Sequence, residues 1–315
     1  MKKEQRDEKR GSSSRDFKLV SCFDDPQKEN FLKIINHGRT GGSGYFVILP
    51  VDQGFEHGPG RSFEPNPPGY NPLYHVRLAI EGGCNAYAAP LGAIEAGIDE
   101  IKKHRLPVIL KVNSHDLMML DSQDPMPALT AWVDDAVRLN CEAVGFTIYP
   151  GSSQAREMYH QLKSLVADAR KAGLIVVVWA YPRGSGLPSK EAETALDVVA
   201  YGVHIACQLG AHMIKCKPPS ALVSLPENVK RNLYSQSLSD LAGRVKVVIE
   251  AAFMGRRIVI FSGGEKKESG EVLEEIRELK KGGSFGSIVG RNSFQRPFKD
   301  GVVLLRQIQD IYLQP

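Results

Sequence analysis

The chain has 315 residues, long for one ordinary domain but within the span of a single α/β barrel. Hydrophobic residues make up 42% and charged residues 24%, the balance of a globular protein with a sizeable core, and a net charge of +4 is too weak for a dedicated nucleic-acid binder. No apolar run approaches the ~20 residues of a membrane span, and the opening MKKEQRDEKRGSSSRDFK lacks the apolar stretch of a signal peptide. Five widely spaced cysteines (Cys22, Cys84, Cys141, Cys207, Cys216) suit reduced thiols better than a disulfide framework or a zinc site. The expectation is a cytoplasmic protein with no membrane partner.

Residues 1–18 are charged and Ser/Gly-rich without periodicity, which predicts a flexible tail ahead of one domain over 19–315. Short apolar runs then predict strands at Tyr45–Val51, Ala86–Ala89, Val108–Val112, Ala143–Ile148, Leu174–Ala180, His212–Lys215, Ile258–Phe261 and Ser287–Val289. Most are Val/Ile-rich on both faces, as buried parallel strands are. Amphipathic helices are expected over Ser152–Ala172, stopped by Gly173, and over Ser189–Leu209, with Ser189 as N-cap, two Glu in the first turn and Gly210 as stop. A third runs over Glu268–Lys281, ending in KKGG. Eight strands, each followed by a helix or long loop, fit one (β/α)8 TIM barrel; an open doubly wound sheet is the alternative, since sequence does not show closure.

In such a barrel the active site lies at the C-terminal ends of the strands. The first strand ends in LPVDQGFEHGP, placing Asp52 at its tip and His57 in a glycine-punctuated loop. The third ends at Lys111, costly to bury unless it meets a carboxylate or an anionic substrate. In VVVWAYPRG, Trp179, Tyr181 and Arg183 are two apart and share a face while the strand persists. A tyrosine there serves as a general acid/base if a neighbouring cation lowers its pKa. In GAHMIKCK, Lys215 lies within the apolar run; desolvation disfavours its charged form and leaves an amine able to attack carbonyls, although a buried salt bridge is the competing reading. After the last two strands, FSGGE and VGRN set Ser262, Gly263, Gly264, Gly290 and Arg291 where barrels hold a substrate phosphate, on backbone N–H groups and a charge-assisted fork. No metal-ligand spacing, dinucleotide fingerprint, P-loop or hydrolase elbow is present in the sequence.

The segments LPVDQGFEHGP, LKVNSH, GFTIYPGS, VVWAYPRG, GAHMIKCK, FSGGE and VGRN, in that order from about Gly38 to the C-terminus, resemble the DhnA-type class I fructose-bisphosphate aldolases of archaea and bacteria, in the DeoC/DhnA aldolase group. The resemblance implies that Lys215 is the Schiff-base lysine, Tyr181 the proton-transferring tyrosine and Trp179 its aromatic wall. Asp52, His57 and Lys111 then surround the reacting carbons, and the Ser-Gly-Gly loop with Gly290 and Arg291 holds a phosphate; Arg183 is a candidate for the second. It also implies glycolytic and gluconeogenic cleavage of fructose 1,6-bisphosphate, no cofactor beyond the covalent imine on Lys215, and a homo-oligomer. Gln53 stands where archaeal members carry histidine, and Cys216-Lys217-Pro218 follows the Schiff-base position. Competing readings are a related Schiff-base aldolase, transaldolase or thiolase on another phosphorylated sugar, and a sugar-phosphate-binding barrel without catalysis.

Overall fold

The structure is a computed structural model that describes residues 17–118, 124–264 and 266–315; the predicted tail lies almost wholly outside them. Eight parallel strands close into a barrel: β1 Phe46–Pro50, β2 Ala86–Pro90, β3 Val108–Lys111, β4 Ala143–Ile148, β5 Ile175–Ala180, β6 Met213–Cys216, β7 Ile258–Ser262 and β8 Gly286–Ile288. Closure is the pairing of β1 with β8, where Val47 is in register with Ser287, and it excludes the open doubly wound sheet. All eight predicted strands form, within one or two residues of their expected ends. The continuous apolar runs follow from burial on both faces.

Alternate residues of each strand divide between two cores. Ile48, Ala88, Ile109, Val177, Met213 and Ile260 fill the barrel interior, whereas Val47, Leu110, Val144, Val178 and Ile214 pack against the outer helices. The helix over Ala155–Lys171 buries Met158, Leu162, Val166 and Ala169, one stripe at helical spacing, and the left-handed Gly173 (φ 70°) ends it. The helix Asp25–Asn36, capped by the Asp24 carboxylate accepting from Gln27 N, closes the lower end of the barrel. There Phe31 meets Phe17 and Phe46 at ring-centroid distances of 5.3 and 6.2 Å.

The expected helix over Ser189–Leu209 is corrected. Residues Glu191–Thr194 form a separate 3-10 turn, Ser189 caps nothing, and the α-helix starts at Leu196. The cause is the loop from residues 220 to 225. Ser220 N donates to Thr194 O, Leu196 N donates to Leu222 O, and the buried Asp197 carboxylate accepts from the backbone N–H groups of Ser224 and Leu225. This tie fixes the helix start and turns Glu193 inward, where it is buried.

Two buried histidines carry a stability consequence. His75, packed between Phe63 and Phe294, donates to Gly69 O at 2.7 Å, and burial pushes it down to about 4; His212, edge-on to Phe23, is pushed down to about 3. Each is neutral in the fold and charged in the unfolded chain below about 6.5, so stability present above that pH is lost as pH falls toward the folded value. For His75 the loss is about 3 kcal/mol between pH 6.5 and 4, at 1.36 kcal/mol per pKa unit. Chemical denaturation at pH 7 and pH 4.5 measures it. His75→Gln should flatten the slope, and an unchanged slope would refute the assignment.

Candidate active site

The C-terminal ends of the strands surround a cavity of about 570 Å³. Ten of the twelve residues singled out from sequence line it: Asp52, His57, Tyr181, Arg183, Lys215, Ser262, Gly263, Gly264, Gly290 and Arg291. Lys111 and Trp179 do not. They are buried beneath the cavity, inside the upper turn of the barrel.

The centre is built by register. Trp179 pairs with Lys215 across β5 and β6, so both point into the barrel at one level. Gly145 on the neighbouring strand makes room for the indole, since a Cβ there would lie 2.6 Å from the Trp179 ring. The Lys215 amine sits 5.0 Å from the Trp179 ring centroid and 5.5 Å from that of Tyr181, and Lys111 reaches the same indole at 5.6 Å. Lys111 is spoken for: its amine donates to the backbone O and to the Oδ1 of Asn113, and Asn113 is itself locked to Thr147 N and O.

Electrostatics separates these groups. Burial holds the Lys215 amine below the usual lysine value and Arg291 lowers it further, against the opposing pull of the Asp52 and Glu56 carboxylates. Burial likewise pushes Lys111 down to about 8, with Lys215 adding to the depression. Tyr181 goes the other way: burial first, then the Asp52 and Glu56 charges, raises it well above 10, although a hydrogen bond with Ser262 opposes them. The condition read from the sequence, a neighbouring cation lowering the tyrosine, is therefore not met in the free protein, where burial and then the two carboxylates set the direction. His57 is kept below its ordinary value by burial. The Asp52 Oδ1 and Trp179 Nε1 atoms are buried without a hydrogen-bond partner among the described residues.

The glycine loops meet through Asn292. Its side chain donates to Gly263 O at 2.9 Å and accepts from Lys267 N at 2.7 Å, joining the loops after β7 and β8. Close approach explains Gly290, whose Cβ would be 2.9 Å from Pro50 O, and a left-handed φ of 67° explains Gly264. Glu265 of the FSGGE motif lies outside the described residues.

Five polar residues of the cavity went unrecognised in the sequence: Glu56, Arg61, His115, Lys190 and Glu193. Glu56 had a local signal. It follows Asp52 by four residues, and the short helix Gln53–Glu56 returns it to the same side of the cavity. Lys217, which the period-two rule puts on the same face as Lys215, also lines the cavity. Glu193 had no local signal.

A closed parallel barrel with a buried, charge-disfavoured lysine at its mouth belongs structurally with the lysine-centred aldolase barrels. Residues 46–296 match the model of the DeoC/LacD family of aldolases, and the chain belongs to that family. It is 35% identical to a probable fructose-bisphosphate aldolase class 1 of Chlamydia muridarum, over 90% of this chain and 83% of that one. It is 33% identical to the fructose-bisphosphate aldolase class 1 of Thermoproteus tenax, over 90% and 93%. Among solved structures, an archaeal fructose-1,6-bisphosphate aldolase with its catalytic Lys covalently bound to the carbinolamine intermediate superposes with a TM-score of 0.73 at 30% identity, covering 90% of this chain and 98% of that one.

Proposed function

We propose that this chain is a class I fructose-bisphosphate aldolase that uses Lys215 as its Schiff-base nucleophile. The observation carrying the proposal is Lys215 itself: a lysine with its charged form disfavoured, opening into a cavity whose other walls offer a tyrosine, an unpartnered carboxylate oxygen and two glycine loops beside an arginine.

The steps follow from these groups. The neutral Lys215 amine attacks C2 of fructose 1,6-bisphosphate, giving a carbinolamine; protonation of the C2 oxygen and loss of water leave a protonated imine. Tyr181, held as a neutral phenol, is the donor for that proton. The imine cation accepts the electron pair of the C3–C4 bond as the C4 hydroxyl loses its proton to the Asp52 carboxylate, directly or through Tyr181, and glyceraldehyde 3-phosphate leaves. The enamine is protonated at C3, and hydrolysis releases dihydroxyacetone phosphate and the free amine. His57 meets substrate hydroxyls, and Ser262, Gly263, Gly264, Gly290 and Arg291 anchor one phosphate, whose binding orients the ketone for attack. Arg183 faces the second. Trp179 forms the wall beside the imine, and Lys111 lies beneath it with its amine held by Asn113. No cofactor enters the sequence of steps.

Borohydride reduction in the presence of dihydroxyacetone phosphate tests the reading. Intact mass and peptide mapping should find one reduced adduct on Lys215; an adduct elsewhere would move the nucleophile, and none would remove the imine.

The reading also places the enzyme in the cytoplasm, which four buried cysteine thiols support, and as a homo-oligomer. The support for association is an outer groove of about 740 Å³, sharing no lining residue with the barrel-mouth cavity, where Trp132 and Val137 stand exposed beside the helix Ala155–Lys171. Among the described residues no helix is long and apolar enough to cross a membrane.

A further inference from the structure

We propose that Gln53 is a specificity-determining residue of this cavity, whose side-chain amide recognises the C3 hydroxyl of the ketose. The inference rests on the aldolase reading above and deepens it. It names the group that makes the enzyme select a hydroxylated ketone phosphate as the half it holds on Lys215.

Gln53 follows Asp52 at the tip of β1 and lines the cavity, yet it is only 9% exposed. Its Oε1 atom is buried without a hydrogen-bond partner among the described residues. An amide oxygen taken out of water and left unpaired costs free energy, and an apolar side chain of the same length would fill the space without that cost. The amide is therefore explained by a ligand group that completes it, not by packing. Its anchor is firm. Gln53 O accepts from Ser62 Oγ and from His57 N, both at 2.8 Å. A Cβ on Gly54, the next residue, would lie 2.8 Å from the Phe63 ring, so this turn packs tightly on the short helix Pro59–Phe63. The Gln53 Nε2 atom rests against Gly290, 2.8 Å from where a Cβ would stand. The terminal torsion of a glutamine stays soft, and a half-turn about it presents either end of the amide to the cavity. A polar group held this way loses little freedom when substrate binds.

Chemistry narrows what the amide meets. It carries donors and an acceptor, and a hydroxyl matches both. A phosphate oxygen only accepts, so a phosphate here would leave Oε1 unpaired. The partner is thus a sugar hydroxyl. Position then selects which one. In the steps above C2 is bonded to Lys215 and the C4 hydroxyl is at Asp52. The Gln53 amide is displaced from Asp52 toward Gly290 at the end of β8, and the strand order β1–β8–β7–β6 leads from there to Lys215. The carbon between the two anchored ones is C3, whose hydroxyl remains in dihydroxyacetone phosphate after cleavage.

The test follows proton exchange with deuterated solvent by NMR on two ketones: dihydroxyacetone phosphate, and acetol phosphate, which has a methyl group in place of the CH2OH. Both can form the imine and enamine on Lys215, but only the first carries the hydroxyl. A site built to bond a hydroxyl discriminates against the analogue that lacks it, because its own polar group is then left unpaired. Gln53→Met should lower the ratio of kcat/KM for dihydroxyacetone phosphate over acetol phosphate by about fivefold or more, chiefly by slowing the hydroxylated ketone. Gln53→His again offers one donor and one acceptor, and should hold the ratio within about twofold of native. Equal slowing of both ketones in Gln53→Met, or a ratio within about twofold of native there, would reduce Gln53 to a packing residue and overturn the proposal. A histidine variant as unselective as the methionine one would overturn it too, since the pairing capacity would then not matter. A native protein that exchanges neither ketone would instead remove the aldolase reading, and this inference with it.

Discussion

Replacing Lys215 by methionine is expected to abolish turnover, by about 10⁴-fold or more, while leaving the barrel as stable as before or more so. The kinetic half follows because every step after substrate binding runs through the imine, and of the amines lining the cavity only that of Lys215 lies within a barrel strand, against the Trp179 and Tyr181 rings. The stability half follows from linkage. A lysine whose folded pKa lies below its unfolded value opposes folding at every pH below that unfolded value, since the unfolded chain binds the proton more readily. Methionine has similar length and no charge, so it removes that opposition and still packs against Trp179. Lys111 is the serious competitor for nucleophile, with its own amine pushed down to about 8. Access decides between them: Lys215 lines the cavity, whereas Lys111 lies beneath it with its amine donating to Asn113. Single-turnover cleavage and borohydride trapping on Lys215→Met check the choice. A residual rate within a hundredfold of native, or an adduct on Lys111 or Lys217, would move the nucleophile.

What sequence reveals here is whatever depends on near neighbours. The run Ile-Val-Val-Val-Trp-Ala reads as a doubly covered parallel strand because β-branched residues fill both faces, and it forms one at Ile175–Ala180. Lys215 stands out because an ionisable group inside such a run is expensive. The glycines of the last two loops stand out because close approach at Gly290 and a left-handed backbone at Gly264 need them. Long-range ties were not legible. Nothing near Ser189 announces that residues 220–225 will capture Thr194 and Asp197, break the expected helix and send Glu193 into the cavity. A glutamate in a first helical turn normally faces solvent, and only the bonds to a segment some 30 residues away reverse that. The direction of the Tyr181 shift was hidden for the same reason. Lys215 stands 5.5 Å from its ring, yet burial and the Asp52 and Glu56 charges set the direction, and neither burial nor those distances is encoded by spacing.

That sign shapes the second large effect. Tyr181→Phe is expected to lower kcat by about 10²–10⁴-fold while leaving imine formation detectable, which separates its role from that of Lys215. Phenylalanine keeps the ring beside Lys215 and the packing around it, so the loss isolates the hydroxyl. A phenol raised well above 10 by burial and by the Asp52 and Glu56 charges is a proton carrier, not a standing base. It donates while the carbinolamine dehydrates and again when the enamine is protonated; once the imine cation has formed 5–6 Å away at Lys215, the phenolate form is better tolerated and the proton from the C4 hydroxyl can pass through it. The ordinary position of a tyrosine, at 10, would leave it little different as a donor at neutral pH. The raised value matters more on the basic side, because the native rate should not fall through deprotonation of Tyr181 before the protein itself suffers. Two measurements check this account. Exchange of the C3 proton of dihydroxyacetone phosphate with deuterated solvent, followed by NMR, should slow in Tyr181→Phe by the same factor as kcat, since both need protonation of the enamine. Borohydride should still trap the adduct on Lys215. Native-like exchange in the variant would reassign that proton to another donor, with Asp52 or a water it holds the next candidate.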